Sequence, residues 1–538
     1  MKRPLALVLC LLLPPCWAAD APATAPHAQQ GDGSRSAVFD VMEYDVAGNT
    51  VLSQLAIEEA VYPFLGPGKT IADVDKARAA LEKAYHRAGY NTVYVDIPEQ
   101  SVSDGVVVLK VTEGRVEKVR VTGSRYYSQG RILAQVPQLA PGMVPYFPAV
   151  QQELATVNRA PGRQVLPVLK PGATPGTLDV NLAVNDQLPL HGSLELNNDY
   201  SPNTRPLRLS GSLEYDNLWQ REHHLGIQFQ TSPQDISQVR TYSLSYVIPL
   251  AQGRDNLALY YLRSDSNVGA LGGITVLGRG DIFGARYLMP LPAKGNYTHA
   301  LSLGADYKRF TQNIVLPGAP PVDTPITYLP LSLQYSGTYR DSGGTTQVGV
   351  GLSFAIRGGV DKNVDCYDQT VNQFECNRYG AKSNYMVLKP SLARMQNLPA
   401  GFTLKADIDG QLASGPLVSN EQFSVGGAGS VRGYLASEAL GDDGVHAVLE
   451  LSSPSLADKA THLDSVVLLA FLEGAHVRLR QPLASQQPDT SLASSGLGLR
   501  MAALKGMDLG ADVAWPMIST AYTRAGRPRV DFRWAYQF

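Results

Sequence analysis

Residues 529–538 read Arg-Val-Asp-Phe-Arg-Trp-Ala-Tyr-Gln-Phe. Val530, Phe532, Trp534, Tyr536 and Phe538 fall on one face of a two-residue period, and Arg529, Asp531, Arg533, Ala535 and Gln537 on the other. Successive side chains of a strand point to opposite sides, so this is a strand with one greasy and one wet face. A soluble sandwich could carry such a strand. Charged side chains opposite a column of aromatics suit lipid outside and water inside better.

The same period recurs upstream, from about Leu190 onward. Leu207, Leu209, Gly211, Leu213 and Tyr215 alternate with Arg208, Ser210, Ser212 and Glu214. Lys405, Asp407 and Asp409 share a face between Phe402, Leu404, Ala406 and Ile408. Candidate strands of roughly 9 to 12 residues begin near positions 191, 207, 225, 241, 256, 281, 298, 329, 346, 384, 402, 445, 465, 491, 506 and 529. Sixteen is an even number, as an antiparallel single-chain barrel requires. Tight links such as 251–255 and 397–401 contrast with long ones near 311–327, 358–382 and 414–444, which would face outside the cell. Phe538 as final residue resembles the terminal strand of bacterial outer-membrane barrels.

Composition agrees with a folded chain. The 538 residues are 44% hydrophobic and 17% charged, with 46 basic and 48 acidic side chains, which excludes a disordered polymer and gives no basic surface for nucleic acid. Beyond the first twenty residues, the longest apolar run is Val466 to Leu472, far too short for a membrane helix of ~20 residues.

Residues 1–18 read as a signal peptide: Met1-Lys2-Arg3, an apolar core from Leu5 to Leu13, then small residues at Ala18 and Ala19. Leu13-Pro14-Pro15-Cys16 outlines a lipoprotein site, but proline stands where a small residue is wanted. Residues 19–35 form a Pro-, Ala- and Gly-rich tether. Cys10 and Cys16 depart with the signal. Cys366 and Cys376, in a polar stretch of an exported chain, are expected to form a disulfide, the alternative being two free thiols.

Residues 36–186 carry an internal repeat of about 75 residues. Asp45-Val46-Ala47-Gly48-Asn49 and Arg120-Val121-Thr122-Gly123-Ser124 occupy equivalent places. Val74, Ala77, Leu81, Ala84 and Tyr85 mark a helix over 72–87 that Gly89 stops, followed by strands at 91–97 and 105–111. The second copy has strands at 116–121, 164–169 and 177–184 and a helix at 147–158. This order resembles two POTRA domains in tandem, at 36–113 and 114–186, ahead of a barrel over 187–538.

Phe423-Ser424-Val425-Gly426-Gly427-Ala428-Gly429-Ser430-Val431-Arg432-Gly433-Tyr434 is similar to the F-x-x-G-G-x-x-S-V-R-G-Y signature of two-partner secretion transporters, the TpsB or ShlB/FhaC/HecB family of the BamA-type superfamily. The resemblance covers the chain from about residue 36 to its end. It implies that the loop over about 414–444 folds into a sixteen-stranded transmembrane barrel, where Arg432 meets an acidic residue of an F-x-D-x-G motif. Phe471-Leu472-Glu473-Gly474-Ala475 is the candidate partner segment, with Glu473 where the family has Asp. From spacing alone, Gly426 to Gly433 reads as a surface loop with a solvated arginine. The family's N-terminal plug helix has no evident counterpart.

The implied function is export of a large TpsA-type exoprotein, recognised through its N-terminal secretion domain, from periplasm to cell surface without ATP. Outer-membrane lipids and, during biogenesis, the barrel assembly machinery are the further partners expected. Assembly or insertion of other barrels is the alternative, and a passive porin or barrel enzyme a third. No nucleophile–base–acid constellation, cofactor or metal site is seen. Gly427 to Arg432 lacks the third glycine of a dinucleotide loop, and His223-His224 would face opposite sides of a strand.

Overall fold

The computed structural model describes residues 38–538 except 103, 161, 251–253, 272–273, 315–321, 356–359, 361, 367–368, 458–462 and 505. The expected signal peptide and tether lie outside these residues. No helix among the described residues is long and apolar enough to cross a membrane.

The described residues divide into two compact units, the first built from 38–88 and from 93–113. Its sheet places Glu43–Ala47 parallel to Val106–Glu113, which pairs antiparallel with Val93–Asp96. Helices Gln54–Val61 and Ile71–Arg87 accompany it. The second helix starts where Thr70 and Asp73 cap each other's backbone, and buries Val74, Ala77, Leu81 and Tyr85, the stripe its sequence displays. A small hairpin-like pairing of Phe39–Val41 with Gly66–Lys69 lies outside the expected pattern.

The second unit opens with a module of the same order. Arg115–Thr122 runs parallel to Thr177–Asp186, which pairs with Arg163–Pro171. Helices Gln129–Ala134 and Phe147–Val157 contribute Ile132, Val150 and Val157 to its core.

In both modules the edge strand beside the longer helix is closed. Glu82 accepts from Val95 N–H and Arg78 donates to Val95 C=O. Asn158 brackets both backbone groups of Val165 at 2.7 and 3.0 Å, and Pro167 further along has no N–H to offer. Strands 43–47 and 115–122 form the opposite edges.

From Leu190 the chain forms a closed antiparallel barrel. All sixteen expected strands are present, one of them interrupted at Leu329 so that Val322–Tyr328 and Pro330–Asp341 pair with different halves of Tyr297–Ile314. The ring closes between Arg533–Gln537 and Ser193–Asn197, while Phe538 and Gly192 exchange backbone hydrogen bonds of 3.0 and 3.1 Å. Outward positions carry Leu213, Tyr242, Phe283, Leu392, Ile408, Leu472, Leu497, Val530 and Phe532, all exposed. A belt of that kind is stable only against hydrocarbon.

Two expectations need correction. Asp255–Leu271, Ile274–Lys294 and Tyr297–Ile314 have 17, 21 and 18 residues, well beyond the lengths read from the sequence. The interior is also not wet throughout. Inward-facing Leu262, Ile282, Phe310, Ile326 and Tyr328 are fully covered by Phe374, Ala381, Tyr385, Leu417 and Val418 from the loops. Both departures share a cause, because these long strands serve as an apolar wall onto which the loops fold.

Candidate functional site: an arginine anchored inside the barrel

The loop between Thr403–Ala413 and Asp443–Ser452 turns inward as a hairpin, Phe423–Val425 pairing with Ala439–Gly441. Gly427 at its turn has φ of 93°, and a Cβ there would come within 2.6 Å of Asp199 Oδ1, so a side chain would be both strained and obstructed. Gly426 and Gly433 share the positive φ. Ala428 N–H, next along the turn, donates to Asp199.

Past the turn, Ser430 C=O lies 3.0 Å from His446 Nε2, whose other ring nitrogen is 2.8 Å from Asp409. Val431 and Tyr434 are fully buried with Val425, Ala475, Val477 and Leu492. Phe423 packs beside them, and the Tyr434 hydroxyl reaches Ala493 O at 3.0 Å and Ile518 O at 2.8 Å. Four strands or loops thus hold the segment that carries Arg432.

Arg432 is 5% exposed and Glu473 4%. The arginine donates twice to Glu473, from its backbone N–H and from Nε, each at 2.7 Å, with Nη2 a further 2.5 Å contact. Glu450 accepts at 2.9 Å and Asp512 stands 3.5 Å away, itself held in a two-pronged pair by Arg500. The guanidinium lies over the Phe471 ring, 3.5 Å from its centre, a cation–π contact that strengthens as water is excluded. The sequence-derived pair of Arg432 with Glu473 and Phe471 is therefore brought together.

The two-residue period shows only which face Glu450, Asp512 and Arg500 occupy, so it does not point to their place in the site. Register supplies the rest: Glu450 lies opposite Phe471, and Gly496 opposite Phe471 on the other side. A Cβ at Gly496 would sit 2.3 Å from the Phe471 ring, so this strand leaves its inner face bare where the aromatic floor lies. Charged donors and acceptors this buried form a strong anchor only because each is paired.

Cys366 and Cys376 are joined in a disulfide. It staples a second inward loop, with strands Asn363–Cys366 and Gln369–Asn372 and helix Gln373–Asn377. Among the described residues no group of His, Cys, Asp or Glu is arranged to hold a metal. His223 contacts Tyr246 and His224 contacts Asp216, separate partners on separate faces.

Residues 39–114 match the POTRA domain, ShlB-type, and residues 333–501 match the family described as haemolysin secretion/activation protein ShlB/FhaC/HecB. The outer membrane transporter CdiB of Dickeya dadantii is 24% identical over 530 residues, 96% of this chain and 89% of that protein. The heme/hemopexin transporter protein HuxB of Haemophilus influenzae is 20% identical over 84% of this chain and 79% of its own length. Among solved structures, CdiB from Escherichia coli superimposes with a TM-score of 0.64 at 20% identity, covering 95% of this chain and 93% of that one. BamA from Haemophilus ducreyi, lacking POTRA domains 1–3, gives 0.55 at 15% identity, over 93% of this chain and all of that one. Over residues 39–114 and 333–501 the chain matches secretion transporters of the ShlB/FhaC/HecB type, and it is an outer-membrane β-barrel with periplasmic POTRA domains.

Proposed function

We propose that this transporter exports one large partner exoprotein, which reaches the periplasm unfolded. The observation that carries the reading is the arginine anchor: a loop lying inside a barrel and held by ion pairs is a stopper that can be released, which neither a porin nor a rigid scaffold needs. Strand 43–47 and the part of strand 115–122 beyond Val116, whose own backbone is taken by Gly142 and Met143, are the sheet edges to which an extended chain adds, because backbone hydrogen bonds bind without demanding one sequence. The captured segment then threads the lumen as the Arg432 loop shifts. Folding outside the cell makes return unfavourable, so no nucleotide is consumed. The barrel assembly machinery inserts the transporter, and outer-membrane lipids surround its apolar belt.

Deleting the gene and comparing secreted with outer-membrane proteins tests this. One missing large exoprotein supports export, whereas loss of many barrels would replace it with an assembly role. Arg432→Ala is expected to collapse export of that exoprotein while the barrel still reaches the membrane. Undiminished export would remove the loop from the mechanism.

A further inference from the structure

The loop bearing Arg432 is fastened at its base as well as at its tip. Asp442, which follows the hairpin strand 439–441, is fully buried. Its carboxylate accepts from Arg378 at 2.5 and 2.6 Å in a two-pronged pair, from Leu417 N–H at 3.0 Å, from Gln422 at 3.1 Å and from Arg480 N–H at 2.7 Å. Arg378 belongs to the disulfide-stapled loop, just past helix Gln373–Asn377. It also donates to Leu417 C=O at 2.8 Å and Arg480 C=O at 3.1 Å. One buried carboxylate therefore joins three loop segments, around 378, 417–442 and 480.

The stapled loop is itself an inner-wall element. Phe374 is buried among Phe310, Ile326, Tyr328 and Tyr385. Gln373 bridges to the wall strand by accepting from Thr327 N–H at 2.9 Å and donating to Thr327 C=O at 2.8 Å. Leu417 and Val418 of the Arg432 loop share the same apolar cluster. Moving the Arg432 loop while the stapled loop stays behind would separate the buried Arg378–Asp442 pair, a cost that falls away when both loops move together.

We propose that the stapled loop is a second stopper of the lumen and that Asp442 is the positioning residue that couples it to the Arg432 loop, so that the two leave the wall as one body. This rests on the lumen being the export route, but its test needs no exported protein. The full-length protein is reconstituted in planar bilayers and its KCl conductance recorded. Folding of each variant is checked by the heat-dependent shift in gel mobility typical of closed barrels.

Asp442→Asn and Arg378→Met are expected to raise the fraction of time in the conducting state at least tenfold, with Asp442→Glu and Arg378→Lys closer to the parent. Thr324→Cys with Asn377→Cys, oxidised, pins the stapled loop to the wall at a place where the parent side chains meet at 3.4 Å. When combined with Arg432→Ala, the pin is expected to suppress the openings that Arg432→Ala alone produces. Reductant should restore them, with Arg432→Ala under the same reductant controlling for loss of the native bridge. Openings that persist unchanged in the pinned variant would show that the Arg432 loop moves alone and overturn the coupling. Equal conductance of Asp442→Asn and parent would do the same.

Discussion

Both inward loops combine apolar burial with a buried ion pair, but in different proportion at their centres. The stapled loop rests on a covalent bridge and an aromatic cluster around Phe374, with Tyr328 5.6 Å and Tyr385 6.4 Å away between ring centres. The Arg432 loop rests on charge, one guanidinium among Glu473, Glu450 and Asp512. Apolar contacts weaken gradually as groups separate. Buried ion pairs fail abruptly, since each partner left behind is an uncompensated charge. The comparison teaches that a releasable stopper can combine a soft pad with a brittle catch.

Arg432→Ala strikes the catch and should have the largest effect. Removing one side of a buried pair costs ~3–5 kcal/mol, here spent on the docked loop rather than on the barrel. Export should collapse, and Arg432→Lys should recover little, because an ammonium cannot reproduce the fork or lie flat on Phe471. Phe374→Ala strikes the pad. It should cost the loop up to ~3–5 kcal/mol, read as faster trypsin cleavage at Arg378 or Lys382 on intact cells, while Phe374→Leu largely preserves protection. If Phe374→Ala opened the lumen as fully as Arg432→Ala, the division between pad and catch would be wrong.

Much of this architecture was legible in the sequence, and what was hidden had a definite cause. Period-two patterning located all sixteen strands, and the Phe423–Tyr434 stretch pointed to Glu473. Patterning could not say that Glu450 and Asp512 converge on the same arginine, because convergence depends on ladder register, and a slip of one residue exchanges the two faces. The stretch Val466–Leu472 alternates poorly for an informative reason. Leu468 and Leu472 face lipid, but inward Leu469 and Phe471 are also apolar, buried beneath the loop and against Ala514. A barrel strand greasy on both faces marks where the interior is dry. Asp442 gave no signal at all, since Leu440-Gly441-Asp442-Asp443 reads as an ordinary polar turn.

Smaller tests refine the comparison. Replacing Cys366 and Cys376 by Ser should loosen the stapled loop by ~2–3 kcal/mol at most, given its short span and wall contacts, and leave the Arg432 cluster in place. Trypsin cleavage at Lys362 or Arg378, on either side of the bridge, should rise without any change in conductance as large as that of Asp442→Asn. The smallest effect is expected far from both loops. Hydrogen bonds from the Thr177 hydroxyl and Thr174 N–H hold the half-buried Glu117 carboxyl down to about 2 from its usual 4.5. A depressed acid stabilises the fold above its unfolded value and loses that contribution as pH falls through the folded one, a window from 4.5 to about 2. The Thr174 amide resonance of the full-length protein should titrate there, and Glu117→Gln should abolish the titration. A midpoint near 4.5 in the parent would mean the turn is not formed.

Closing the ring brings together residues from its two ends, as where Arg533 reaches Glu195 across 338 positions. Few contacts in a protein are more distant in sequence, and such pairings form late, because the intervening chain must be gathered first. During that interval both bounding strands present unpaired backbone to whatever extended polypeptide is nearby. Under the proposed export of an unfolded chain, the barrel passes through a stage, during its own biogenesis, when mistaken pairing with that cargo would be possible.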